Sequence, residues 1–155
     1  MDTAPVTPIR LTIRTSASAQ RAWDYLVNPE RVAEWFSSAS PVGAIGDPYR
    51  LDFGEGSVVE GIIVALEPGR RFAHRWAWID AEPRQETLVT WTVSALEPAG
   101  SEIELLHDGW GEAGADDAQR DDHEGYWSGY LDDLHDLLEE AAGPGSEPAV
   151  EAGTD

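Results

Sequence analysis

Aromatic rings and imidazoles alternate along one short segment of this 155-residue chain. Phe72, His74, Trp76 and Trp78 occupy every second position, so in a β-strand their side chains share one face of the sheet. Bulky rings with a few polar points form the usual wall of a small-molecule site. The same rings could instead simply fill a core. The pattern therefore leaves two interpretations open, a binding surface and a packed interior.

Further rings and imidazoles fall on segments expected to meet this face. Buried Trp and His each need a hydrogen-bond partner, which makes a solid packing of all of them difficult. Tyr126 and Tyr130 could bond a ligand or only anchor the last helix. The residues expected to line a site for a small apolar or aromatic molecule are Trp35, His74, Trp76, Trp78, Trp91, His107, Trp110, Tyr126 and Tyr130.

His107 is the one residue with a catalytic alternative. It is expected to end the last strand on the inner face, close to Trp127 or Tyr130 of the terminal helix. As a general base it would need a substrate proton within hydrogen-bond reach. As a structural residue it would tie the strand to the helix. Both roles stay open at this point.

The sequence lacks the residues that metal sites, nucleophilic catalysis and phosphate binding would need. The chain has no Cys, which removes disulfides, thiolate ligands and a thiol nucleophile. The four His are far apart, and His123 has no second His at helical spacing, so no metal site is predicted. No Gly-x-Ser-x-Gly motif is present, and the turn Gly54-Glu55-Gly56 has an acidic centre that is hostile to phosphate. We therefore predict no cofactor.

The charge is strongly asymmetric. Thirty acidic residues oppose ten basic ones, all Arg, and from Ser101 onward 17 acidic residues face only Arg120. Such a surface repels phosphate backbones and anionic lipid, so we predict no nucleic-acid partner. It is either a solvated face or a docking face for a basic protein partner. The longest purely apolar run, Ile62 to Leu66, is too short to insert into a membrane, and no secretory signal is seen. These features fit a cytoplasmic protein, either monomer or homodimer.

The elements that must position these residues follow from periodicity. A strand is predicted over Ile9 to Thr15, then two short helices separated at Asn28-Pro29. Strand-like segments punctuated by Gly and Pro come next, and a long helix with apolar residues at three- and four-residue spacing covers about Asp121 to Ala142. Gly143-Pro144 should stop it. The other predicted strands are 49–53, 57–66, 72–78, 87–96 and 102–107.

This order predicts an α+β fold with a curved antiparallel sheet of about six strands and one domain over residues 9–142. Residues 1–8 are expected to be flexible and 143–155 to be a disordered acidic tail. Arg10 and Arg14 on the outer face of the first strand complement Glu102 and Glu104 on the last, so those strands are predicted neighbours. Strand 57–66 is apolar on both sides, and its register is undecided.

Several stretches resemble a known family. Ser16–Phe36 (SASAQRAWDYLVNPERVAEWF) resembles its opening helices, and Glu60-Gly61 through Arg75-Trp76 its middle hairpin. The segment SEIELLHDGW resembles its last strand, and His123–Leu138 its terminal helix. Together they resemble the helix-grip architecture of the START/SRPBCC superfamily, and within it the homologues of the activator of the ninety-kilodalton heat-shock protein's ATPase. The resemblance implies a long C-terminal helix packed across the concave face of the sheet.

The resemblance implies a pocket rather than one reaction. Superfamily relatives bind lipids, hormones or polyketides, a few act as cyclases or aromatases, and many bacterial relatives have no assigned activity. We therefore expect a non-catalytic binding domain for a lipid-like or aromatic ligand. One alternative is a polyketide cyclase/aromatase-like enzyme with His107 as acid/base, and a second is a co-chaperone-like or other interaction module. The extreme acidity and the absence of Lys argue against transferring a chaperone-binding surface.

Overall fold

Seven antiparallel strands form one sheet in the computed structural model, which describes residues 6–81 and 84–142. The strands are β1 (Ile9–Thr15), β2 (Ser38–Ala39), β3 (Pro48–Asp52), β4 (Val58–Glu67), β5 (Arg71–Trp78), β6 (Thr87–Ala95) and β7 (Ser101–Asp108). Their order across the sheet is β1-β7-β6-β5-β4-β3-β2. The helices are α1 (Ala19–Val27), α2 (Pro29–Trp35) and the long α3 (Asp117–Ala142).

The predicted helix-grip fold is confirmed, with a curled sheet closed by α3. The sheet has seven strands rather than about six because Ser38–Ala39 pairs with β3, and two residues are too few to show alternation. The predicted tail 143–155, its Gly143-Pro144 stop and residues 1–5 of the predicted flexible start lie outside the described residues. The flexible start, the helix stop, the disordered tail and the domain limits of 9–142 stay predictions. Within the described ranges, no helix is long and apolar enough to span a bilayer.

The first and last strands are neighbours, as the charges predict. Arg14 pairs with Glu102 directly across the ladder, with Nε and Oε1 2.9 Å apart. Arg10 reaches diagonally to Glu104, also at 2.9 Å. Because these side chains face solvent, each pair contributes only about 0–1 kcal/mol to stability. Their role is to favour this pairing of strands over others.

The period-two pattern identifies the inner face correctly. Alternate residues of β6 and β7 are buried, including Trp91. In β5 the predicted inward residues His74 and Trp76 are buried, and the small Ala73 and Ala77 of the opposite face are buried as well. In β4, whose register the sequence left undecided, Val59 and Ile63 are buried and Ile62 is 46% exposed. The ladder shifts after Ile63, where β4 carries a bulge or irregularity.

The terminal helix begins four residues earlier than its apolar pattern suggests. Gln119 N–H bonds Asp116 Oδ1 at 2.9 Å, and Asp116 N–H bonds Gln119 Oε1 at 3.1 Å, which is a reciprocal capping arrangement. It adds a polar first turn that no hydrophobic period reveals. The buried stripe then follows at three- and four-residue spacing as predicted: Trp127, Leu131, Leu134 and Leu138.

Candidate functional site

A pocket of ≈ 460 Å³ lies between the first half of α3 and the ends of β3 and β5. Its walls are largely aromatic, with a few polar groups from the first turns of α3. This composition and volume are typical of a site for a small organic molecule. The lining residues are Phe36, Phe53, Ser57, Trp76, Trp78, Gln119, Asp122, His123, Tyr126, Trp127 and Tyr130.

Phe36 joins the small helices to the pocket wall. It follows α2, and its ring centroid lies 5.1 Å from that of Trp127 and 4.9 Å from that of Tyr130, both on α3. Phe53, just after β3, contacts Phe36 edge-on at 5.2 Å. Trp35, the residue before Phe36, stacks on the Phe36 ring at 5.0 Å but is buried in the core, where its Nε1–H donates to Tyr25 O at 2.9 Å. Adjacent residues at the end of α2 thus serve the pocket and the core respectively.

His123 supplies the imidazole of the pocket. Its Nδ1 lies 2.8 Å from Gln119 O and therefore carries the proton. Its Nε2 accepts a hydrogen bond from Trp78 Nε1 at 3.0 Å, which links α3 to the end of β5. Burial lowers the pKa of His123 below its usual value. The ring is thus held neutral in one tautomer.

His107 lies outside the pocket, in a closed hydrogen-bond chain. Trp127 Nε1–H donates to His107 Nδ1 at 3.0 Å, so the His107 proton sits on Nε2 and is donated to Thr87 Oγ1 at 2.7 Å. The Thr87 hydroxyl continues to Trp76 O at 3.3 Å. Burial, then the nearby imidazoles of His123 and His74, hold the pKa of His107 well below its usual range. The expected position beside Trp127 is correct, but no ring nitrogen remains for a substrate.

Gly109 folds Trp110 back over this chain. Its φ of +87° is a left-handed conformation that glycine adopts without strain. The Trp110 ring then packs 4.3 Å from the His107 ring and donates its Nε1–H to His107 O at 2.9 Å. The His-x-Gly sequence at the end of β7 therefore builds a structural corner.

The structure brings together part of the predicted site. Trp76, Trp78, Tyr126 and Tyr130 line the pocket, and Trp110 lines a neighbouring chamber of ≈ 210 Å³. The remaining predicted residues do not line either space and are buried in the core: Trp35, His74, Trp91 and His107.

Neighbouring rings cover residues of this group and keep them from lining the pocket. Trp91 is covered by Trp35 and Trp127, with ring centroids 6.0 and 5.6 Å away. His74 packs against Tyr49 at 4.7 Å on the far side of Trp76 from the pocket. Sharing a sheet face therefore did not mean sharing a cavity.

Sequence reasoning missed most of the contribution of α3. Gln119, Asp122 and His123 were not predicted; with the predicted Tyr126 they recur at three- and four-residue spacing and so lie along one side of the helix. Polar residues at this spacing are equally typical of a solvent-facing side of a helix, so the sequence alone does not mark them as a pocket wall. The other lining residues not predicted are Phe36, Phe53, Ser57 and Trp127.

One buried donor in this region has no partner. Among the described side chains, Trp76 Nε1 is the single buried polar atom without a hydrogen bond, and its ring borders both spaces. No group of three His, Asp or Glu residues within 6–81 and 84–142 could hold a metal ion.

Comparison with known proteins now assigns the family. Residues 16–139 match the family model described as "Activator of Hsp90 ATPase homolog 1-like protein". The chain belongs to this family. No curated protein matches the sequence of this family member.

Solved structures share the fold at low identity. DynU16, a protein of the dynemicin biosynthetic locus, superposes with a TM-score of 0.75 at 23% identity, covering 85% of this chain and 47% of its own. Protein MLL2253 from Mesorhizobium loti superposes with a TM-score of 0.77 at 18% sequence identity, covering 86% of this chain and 98% of its own. The Aha1 dimer from Colwellia psychrerythraea superposes with a TM-score of 0.72 at 20% sequence identity, covering 88% of this chain and 99% of its own. The chain therefore spans about half of DynU16 and nearly all of the other two.

Proposed function

We propose that this protein is a non-catalytic receptor for a small, mostly apolar molecule, aromatic or lipid-like, held between α3 and β5. The observation that carries the proposal is the ≈ 460 Å³ pocket whose walls include Phe36, Trp76, Trp78, Tyr126 and Tyr130. A void with this many rings around it offers apolar contact area, which is the main source of affinity for such ligands.

The polar groups at the pocket suit orientation of a ligand rather than turnover. His123 already uses both ring nitrogens, one on Gln119 O and one on Trp78 Nε1. A general base would need a free lone pair within reach of the substrate proton. His107, the acid/base candidate of the cyclase-like alternative, is fully buried, and each of its ring nitrogens makes a hydrogen bond within the protein. These bonds support binding over acid-base catalysis.

A basic protein partner has less support. The acidic side chains of α3 that would form its docking face, such as Asp132, Asp133 and Asp136, lie on the exposed side of the helix. That is where an amphipathic helix places polar residues whether or not it has a partner. The pocket is the more specific feature.

Binding is tested with N-phenyl-1-naphthylamine, a neutral probe whose fluorescence rises in apolar surroundings. We expect saturable one-site binding that is nearly independent of salt, since the probe is uncharged. Tyr126→Ala should weaken binding about tenfold, because the ring lines the pocket. Ile45→Ala is the matched control, since Ile45 and Tyr126 are both 63% exposed and Ile45 is outside the pocket. Absence of saturable binding, or equal effects of the two variants, would refute the proposal.

A further inference from the structure

The pocket has a second compartment behind one of its walls. The main pocket of ≈ 460 Å³ and the inner chamber of ≈ 210 Å³ share Trp76, Trp78, Gln119 and His123 as lining residues. The inner chamber extends from this shared wall to Trp110 and the segment after β5. The two spaces are therefore neighbours with these four side chains in common.

One side-chain hydrogen bond in this shared wall joins the sheet to the terminal helix. Trp78 projects from the last residue of β5, and its Nε1–H reaches His123 Nε2 on α3 at 3.0 Å. Gln119 O fixes the His123 proton on Nδ1, which keeps Nε2 an acceptor for the indole. Sheet and helix are thus bridged at the boundary between the two spaces.

The inner chamber is suited to an apolar group. Its amides already bond within the protein, because Gln119 Nε2–H donates to Gln85 Oε1 at 2.7 Å and Gln85 Nε2–H donates to Gly114 O at 3.1 Å. The rest of the wall is mainly the rings of Trp76 and Trp110 with two alanines, Ala81 and Ala115. Its other polar members are the Thr87 hydroxyl, which already bonds within the protein, and the solvent-exposed Asp80. A hydrocarbon entering it would gain apolar contact without depriving these amides of their partners.

We propose that the Trp78–His123 hydrogen bond sets the maximum length of ligand that the pocket accepts, by closing the inner chamber to the ligand's apolar end. The inference rests on the proposed binding function and adds the feature that limits ligand size. A hydrocarbon chain is bound with increasing affinity until its end meets the indole of Trp78. Beyond that length, further carbons remain in water and add nothing.

A homologous series of 4-n-alkylphenols from ethyl to octyl measures this limit by isothermal titration calorimetry. Each methylene buried should tighten binding about fourfold, and the gain should stop at one chain length in the wild type. Trp78→Ala should move that plateau to longer chains. Because Trp78 also lines the main pocket, its loss affects every member of the series, so the ratio of the two affinities is the readout. We expect the affinity for 4-octylphenol relative to 4-ethylphenol to rise at least about tenfold over the wild-type ratio.

Two further variants test whether a shift of the plateau comes from the Trp78–His123 hydrogen bond or from the loss of any aromatic side chain. His123→Ala removes the other half of the bond from the helix side and should shift the plateau in the same direction, even if Trp78→Ala fails to fold. Trp23→Ala removes a half-buried indole that packs on Phe72 outside both chambers, so the plateau should stay where it is.

The possible failures are distinguishable. A plateau at the same chain length in the wild type, Trp78→Ala and His123→Ala would refute the role of the Trp78–His123 bond in limiting ligand length. The proposed binding function would remain intact. The same holds if wild-type affinity rises through octyl without a plateau. If no member of the series and no N-phenyl-1-naphthylamine binds the wild type, the proposed function itself fails, and this inference falls with it.

Discussion

Trp127 donates its indole N–H to Nδ1 of His107 at 3.0 Å, joining the middle of α3 to the end of β7. The bond fixes the His107 proton on Nε2, which faces Thr87 Oγ1. All three residues are at most 2% exposed. Buried polar groups that satisfy one another in this way hold two elements in a defined register.

His107→Ala should therefore damage stability. It leaves a cavity and removes the partners of Trp127 Nε1 and Thr87 Oγ1, so the free energy of unfolding should fall by about 2–4 kcal/mol. Urea unfolding followed by circular dichroism measures this. His135→Ala, at a partly exposed position of α3, should change it by less than about 0.5 kcal/mol. Equal stabilities of the two variants would contradict the structural role of His107.

Acidification should destabilise the protein through His74. Burial lowers the pKa of His74 to about 4, whereas the unfolded chain titrates near 6.5. Above pH 6.5 the His74 imidazole is neutral in both the folded and the unfolded chain, so its titration costs no stability. Between pH 6.5 and about 4 only the unfolded state binds the proton, so the free energy of unfolding falls by up to about 1.4 kcal/mol per pH unit. Below about 4 the penalty is constant.

The variant His74→Leu isolates this contribution from other titrating groups. Between pH 7 and pH 5 it should lose about 2 kcal/mol less stability than the wild type, measured by urea unfolding at both pH values. His135→Leu, at a side chain that is 41% exposed, is the control for replacing an imidazole with an apolar side chain. If His74→Leu and the wild type lose the same stability, His74 is not the group responsible.

Glu139 fastens the end of α3 to the turn after β1. Its carboxylate accepts hydrogen bonds from Ser16 Oγ at 2.5 Å, Thr15 Oγ1 at 2.5 Å and Ser16 N at 2.8 Å. The Ser16 and Thr15 hydroxyls lower the pKa of Glu139. Because the site is partly exposed, Glu139→Gln should cost only about 1 kcal/mol at neutral pH in thermal or urea unfolding. The exposed neighbour Glu140 is the control, and a loss of the same size in Glu140→Gln would refute the specific role of Glu139.

Much of the fold is readable from the sequence because burial leaves a periodic signature. Alternation in β5 through β7 indicates which side chains face inward, and the leucines of α3 indicate the helix that covers them. Arg14 opposite Glu102 even indicates which edges meet. The start of α3 was misjudged because its first turn is stabilised by the capping pair Asp116 and Gln119, which carries no apolar period.

The candidate site was only partly predictable. Trp76 and Trp91 have the same inward position on adjacent strands, yet Trp76 borders the pocket and Trp91 is enclosed by Trp35 and Trp127. Phe36 and His123 belong to the pocket although neither was predicted as a site residue. Which ring has a neighbour on its far side depends on segments distant in sequence.

The sequence by itself determined the order of elements, the inward face of most strands and the strongly acidic character of the second half of the chain. These properties depend on residue type and local spacing, which hydrophobic burial imposes directly on the chain. Only the tertiary structure decided that His107 is sealed between Trp127 and Thr87 while His123 borders an open space. That outcome depends on the few ångströms between packed elements, a distance that no periodicity encodes.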